Sequence, residues 1–134
     1  MNKNVKVSLG TDVAGGYSAS ILDAIRNSIA VSKIYSLTQR KDLLPLTVGE
    51  AFYLATMGGA RVLELDDKIG NFEVGKEFDA LVIDFELGDT FDCFIRDDSN
   101  LLEEIFEKFI YLGDDRNVCS VFVKGKQIYS ASSN

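Results

Sequence analysis

The stretch Val5-Lys6-Val7-Ser8-Leu9-Gly10-Thr11-Asp12-Val13-Ala14-Gly15-Gly16-Tyr17-Ser18 decides how this chain is read. Its opening, VKVSL, is a short β-prone run that ends at a glycine, which predicts a buried strand over Val5–Leu9. Gly10 to Gly16 form a glycine-rich loop. Beyond it Ile21, Leu22, Ile25 and Ile29 fall on one helical face, which Ile34 and Leu37 extend. Ser18 or Ser20 stands where an N-cap belongs. Strand, loop and helix make one βα unit. In such units ligands and catalytic groups gather at the carboxyl end of the strand, where Asp12 stands. Glycines allow close backbone approach, and a carboxylate there can bind a metal or act as a general base. The same position also suits a loop acid that only satisfies backbone N–H groups in an Asx turn.

The loop is not a phosphate cradle. It has neither G-x-x-x-x-G-K-[ST] nor G-x-G-x-x-G, and Asp12 would repel a phosphate at close range.

Downstream, Ser36–Leu44 is a polar connector and Thr47-Val48-Gly49-Glu50 is a T-x-x-E capping box. Val48, Ala51, Phe52 and Ala55 then predict a short helix, interrupted at Gly58-Gly59 and followed by a further helical turn over Ala60–Leu65. Ala80-Leu81-Val82-Ile83 is a continuous apolar run, which predicts a strand buried on both sides. Leu102, Ile105, Phe109 and Leu112 make a helical stripe, with Asn100 and Glu103 as a capping box and Gly113 as the C′ stop. Val118–Val123, Lys124-Gly125-Lys126 and Gln127–Ser130 predict a β-hairpin. Gly113-Asp114-Asp115-Arg116-Asn117 brings two carboxylates together. It lacks calcium-loop spacing and reads as a polar turn.

Composition bounds the function. The 134 residues are 46% hydrophobic and 26% charged, as in soluble globular proteins, and hold no apolar stretch long enough to span a membrane. No leader-like segment stands at Met1, so no secretory signal is expected. A complete (β/α)₈ barrel needs about 250 residues and does not fit. Cys93 and Cys119 form no CxxC pair; they read as packing residues in a reducing, cytosolic setting. The chain has no histidine, which excludes a histidine triad, a His-rich zinc site and imidazole catalysis within it. Net charge is −7. Residues 1–62 carry seven Lys/Arg against four Asp/Glu, and residues 63–134 seven against seventeen. That acidic half disfavours nucleic acid and anionic membranes as partners, and the asymmetry suggests two subregions meeting near residue 62.

The segment Gly10-Thr11-Asp12-Val13-Ala14-Gly15-Gly16-Tyr17-Ser18 resembles the guanine deaminases, members of the metal-dependent amidohydrolase superfamily. Further matches follow in order: LDAIR at Leu22–Arg26, EAFYLATMGGAR at Glu50–Arg61, IGNFEVGKEFDALVID at Ile69–Asp84, KFIYLGDDRN at Lys108–Asn117 and VKGKQ at Val123–Gln127. The resemblance implies an α/β fold: the C-terminal part of an amidohydrolase TIM-like barrel plus strands of its small β-sandwich domain. Residues 1–65 would be the final βα unit with the helices after it, and residues 66–134 the C-terminal part with the β-domain strands and one helix. It also implies zinc-dependent hydrolytic deamination of guanine to xanthine and ammonia, and a homodimer. Asp12 is the one residue that takes a family role, contacting the zinc and the substrate and shuttling protons. The family's histidine ligands have no counterpart here, so the isolated chain is expected to bind no stoichiometric zinc and to be inactive. The competing reading is a non-catalytic α/β module, structural or partner-binding, derived from an amidohydrolase.

Overall fold

The structure, a computed structural model, describes residues 5–87 and 101–131. It divides into two compact units, residues 1–73 and 74–134, a boundary somewhat later than the 65/66 division expected from sequence.

The first unit holds three helices: α1 (Ile21–Thr38), α2 (Val48–Ala55) and α3 (Met57–Val62). In α1 the buried positions are Ile25 and Ile29, as their spacing predicts, while Ile34 and Leu37 remain 61% and 72% exposed. The helix runs on to Thr38, into residues expected to be connector. α2 opens with the capping box. The Thr47 hydroxyl accepts from the Glu50 N–H at 3.2 Å, and Glu50 Oε2 accepts from the Thr47 N–H at 2.8 Å. Val48 and Ala51 are the face it buries. The break after α2 comes at Thr56, whose φ/ψ of −120°/−94° is not helical, and Gly58-Gly59 lie inside α3 rather than interrupting it. The Thr56 hydroxyl donates to the Phe52 carbonyl at 2.9 Å, offering that carbonyl an alternative to the helical ladder.

Val5–Leu9 does not form the expected strand. A strand is a ladder of paired hydrogen bonds, and β-propensity alone does not make one. No strand lies alongside this segment among the described residues; its Leu9 N–H instead donates to the Leu54 carbonyl of α2 at 3.2 Å.

The second unit is a three-stranded antiparallel sheet with one helix, α4 (Leu101–Leu112). The strands β1 (Ala80–Ile83), β2 (Val118–Val123) and β3 (Lys126–Ser130) lie in the order β1-β2-β3. The hairpin forms as predicted, with Val123 opposite Lys126. Its turn residues Lys124 and Gly125 both have positive φ, 51° and 75°, the backbone that two-residue hairpin loops require. Asp79 holds the less tolerant of the two by accepting from the Lys124 N–H at 2.8 Å. β1 pairs with β2 through Ala80–Phe122 and Leu81–Val121. It is not buried on both sides: Leu81 and Val82 are about half exposed, and among the described residues β1 pairs with β2 alone.

In α4 the expected stripe is only partly inward. Of its four residues Ile105 and Phe109 are half-buried and Leu102 and Leu112 largely exposed, and the fully buried residue of the helix is Ile110, which lies beside the stripe. The proposed capping partner Asn100 and the residue Cys93 lie outside the described residues. Gly113 follows the helix without positive φ, and a Cβ there would collide with the Phe109 ring.

Asn117 is the polar centre of this unit. Its side chain is fully buried and has every partner it needs. Nδ2 donates to the carbonyls of Leu87 at 2.9 Å and Asp84 at 3.3 Å, while Oδ1 accepts from the Asp114 N–H at 3.1 Å. Its backbone carbonyl also accepts from the Asp84 N–H at 2.8 Å. One side chain thus ties the segment after β1 to the turn before β2.

Two predictions follow from these contacts. Asn117→Ala strands two carbonyls and an N–H in the interior, and should cost about 3 kcal/mol in chemical denaturation; a loss below about 1 kcal/mol would contradict the hub role. The Thr47 backbone N–H, with its hydroxyl, holds the Glu50 carboxyl below its ordinary value of 4.5. A depressed folded-state value gives stability that is present above the unfolded value and lost as pH falls through the folded one. The stability gap between wild type and Glu50→Gln should therefore shrink as pH falls below 4.5. Urea unfolding at stepped pH measures it, and a constant gap would refute it.

Candidate functional site

Asp12 sits in the arc between Leu9 and Ser18, and local geometry explains why glycines flank it. Asp12 itself has a φ of +50°, a left-handed conformation that Asp tolerates better than most residues. Its carbonyl accepts from the Gly16 N–H, closing the loop upon itself. A Cβ on Gly16 would run into the Thr11 carbonyl, and one on Gly15 would fall 2.7 Å from Asp12 Oδ2. The loop folds this tightly, and leaves the Asp12 carboxylate room, only because both positions lack side chains. Asp12 is exposed to solvent.

The far end of the arc is tied to α1 by side chains. Ser18 Oγ donates to Asp23 Oδ2 at 2.6 Å and accepts from the Ser20 N–H at 3.1 Å. Arg26 Nη1 donates to Asp23 Oδ1 at 3.0 Å. One helical turn on, Asn27 Nδ2 donates to the Tyr17 hydroxyl at 2.7 Å. Asp23 and Arg26 keep only 33% and 27% of their side-chain exposure, so this pair is partly withdrawn from water. The Ser18 hydroxyl is the main influence holding the Asp23 carboxyl below its ordinary value; desolvation opposes it, and Arg26 assists. Sequence reasoning saw Ser18 only as a possible cap. Ser20 is the N-cap residue, and its side chain makes no capping bond. The relevant signal was the Ser18-to-Asp23 spacing, which helical periodicity does not interrogate. A cleft of about 190 Å³ lies beside the arc, lined by Gly10, Thr11, Tyr17, Ser18, Asp23 and Asn27 among others. Asp12 does not line it.

The other acidic segment is a turn. Arg116 grips the Asp114 carboxylate through Nε at 3.0 Å and Nη2 at 2.6 Å, and Asp114 also accepts from the Arg116 N–H. That carboxylate is committed within the protein. Cys119 is a half-buried residue of β2. Among the described residues no group of three or more Cys, Asp or Glu side chains could hold a metal ion. A catalytic zinc takes three or so protein ligands, so Asp12 by itself does not make a zinc site. No helix among the described residues is long and apolar enough to cross a membrane.

The sequence profile described as "Amidohydrolase family" matches residues 1–128. The chain belongs to the amidohydrolase family. It is 51% identical over 129 residues to a guanine deaminase of Dictyostelium discoideum, covering 96% of this chain and 28% of that protein. It is 50% identical to the Homo sapiens guanine deaminase over 136 residues, covering all of this chain and 30% of the relative. The fold matches a crystal structure of a guanine deaminase from C. acetobutylicum with bound guanine at a TM-score of 0.72. That match has 38% identity and covers 94% of this chain and 28% of the other. The amidohydrolase chain thus spans under a third of the length of these relatives.

The tie to α1 has a direct spectroscopic consequence. Ser18→Ala should raise the Asp23 carboxyl toward its ordinary value of 3.8, read by carboxyl NMR titration. Asp23 is of the depressed kind, so the stability it contributes is lost as pH falls through its folded value, and Ser18→Ala should weaken that dependence. An unmoved Asp23 titration would show that the 2.6 Å bond is not formed in solution.

Proposed function

We propose that this chain is the portion of a guanine deaminase that supplies Asp12 to a zinc-dependent active site. That enzyme hydrolyses guanine to xanthine and ammonia in purine catabolism, in the cytosol, as a homodimer. The observation that carries the reading is identity of 50% to a named guanine deaminase over the whole chain. On this reading residues 1–65 are the last βα unit of the barrel with its following helices, and residues 66–134 include strands of the small β-sandwich domain.

The chemistry asked of Asp12 is proton transfer. Water oxygen bonds to the amino-bearing ring carbon, the C–N bond breaks and ammonia leaves. A proton must move from the water to the departing nitrogen. A carboxylate in an exposed, glycine-flanked loop can take it and return it, a role worth about 10²- to 10⁴-fold in rate. The zinc implied by the family does not fit these residues alone, because Asp12 is a single ligand. Its other ligands would come from histidine-bearing polypeptide outside these 134 residues.

The second reading, a non-catalytic partner-binding module, is favoured by one observation. Large apolar side chains of the first unit, Val5, Val7, Ile34 and Leu37 among them, are more than half exposed.

Grafting this chain in place of the homologous segment of the human relative separates the two. The graft should turn over guanine, and Asp12→Asn should lower kcat by about 10³-fold. The isolated chain, dialysed against trace zinc, should retain far less than one equivalent of metal and form no xanthine. An inactive but folded graft would favour the module. One zinc per isolated chain with turnover would show a carboxylate site complete within these residues.

A further inference from the structure

We propose that Ser18 and Asp23 are positioning residues for Asp12: they clamp the downstream end of its loop to helix α1 and so fix where the carboxylate points. This rests on the guanine deaminase reading for what Asp12 does, but not for how it is held.

Three observations carry it. First, the arc from Leu9 to Ser18 is anchored at both ends. Leu9 is held by the Leu54 carbonyl at 3.2 Å, and Ser18 by the Asp23 carboxylate at 2.6 Å, with the Tyr17–Asn27 bond beside it. Second, Asp23 has been taken from its ordinary employment. Ser20-Ile21-Leu22-Asp23 has the spacing in which a Ser cap and an acidic N3 residue satisfy each other, yet the Ser20 side chain makes no cap bond. Asp23 turns to Ser18 and Arg26 instead. The helix forgoes a cap, which such side chains usually supply, in favour of a bond to the loop. Third, Arg26 braces Asp23 from the next turn, within a pair partly withdrawn from water, which restricts the geometries the clamp can take.

The loop needs such a clamp. Gly10, Gly15 and Gly16 give the arc more backbone freedom than other residues would, while a catalytic group must be held within about 0.5 Å of its productive place. The internal Asp12–Gly16 bond closes the loop but does not orient it. The Ser18–Asp23 bond does.

The test uses the active graft and the 134-residue chain together. In the graft, Ser18→Ala should lower kcat about tenfold with KM within about twofold, and Ser18→Thr, which restores the hydroxyl, should recover most of it. A kcat left unchanged, or one that Thr does not rescue, would overturn the proposal. Should the graft fail to turn over guanine at all, the function reading fails and the clamp is judged on the chain alone. There, Ser18→Ala should speed exchange of the Gly16 amide about tenfold while the Ile25 and Ile29 amides keep their rates. Equal acceleration at all three would mean general destabilisation and overturn the clamp, as would no change at Gly16. Where Ser18→Ala does not fold, Asp23→Asn takes its place. It keeps an acceptor for the hydroxyl, loses the charge, and should show the same pattern at smaller amplitude.

Discussion

Cover for apolar side chains is the scarce commodity in this fold. In the first unit Ile25, Ile29, Val48, Ala51 and Ala60 are buried; in the second, among the described residues, only Ile110 of the apolar set is. That limit explains the elements one by one. Val5–Leu9 has the composition of a strand but, among the described residues, no ladder to join, and it is tied to α2 through the Leu9 N–H and to Glu64 through Lys6. The half of α1 that follows Ile29 leaves Ile34 and Leu37 in water and is tied to the segment after it by Ser32, which accepts from the Leu46 N–H, and Ser36, which donates to the Leu43 carbonyl. β1 has a partner on one side, and its faces are correspondingly wet. Burial contributes about 25 cal/mol per Å² of apolar surface, so elements that bury little must rely on polar ties. Those ties are the Thr47–Glu50 capping box, the Asn117 hub and the Asp79 bond to the hairpin turn.

What was legible in the sequence divides along the same line. Features fixed by neighbours in the chain were readable. The T-x-x-E box determines its own two bonds, and Lys124-Gly125 marks the turn between two β-prone runs, where Asp79 then holds Lys124. Features that need a distant partner were not. The burial of Ala80–Ile83 was overstated because an apolar run does not say how many strands flank it. The helix break was placed on Gly58-Gly59, where propensity is weakest, whereas the structure breaks at Thr56, where a side-chain hydroxyl competes for the Phe52 carbonyl. Asn117 was read only as part of a turn, since nothing in a sequence marks an asparagine that will be wholly buried.

Asp12 shows a further division. Spacing placed it at the end of a βα loop, and there two readings, functional carboxylate or loop acid, were open. The structure adds that its carboxylate is exposed and unencumbered by side-chain partners among the bonds that hold the loop. The loop is instead closed through the Asp12 backbone carbonyl. An Asx-turn acid spends its carboxylate on nearby N–H groups; here the backbone does that work and the carboxylate is spared.

Electrostatics carries the site one step further. With the boundary at residue 73, the first unit holds eight Lys/Arg and eight Asp/Glu and is neutral, and the second holds the whole net charge of −7. The division near residue 62 suggested by sequence had made the first part positive, because Glu64, Asp66, Asp67 and Glu73 fell on the other side. A unit whose charges sum to zero has no net charge with which to attract or repel charged ligands over long range. Guanine is uncharged at neutral pH and needs no steering, so the proposed substrate loses nothing by this arrangement.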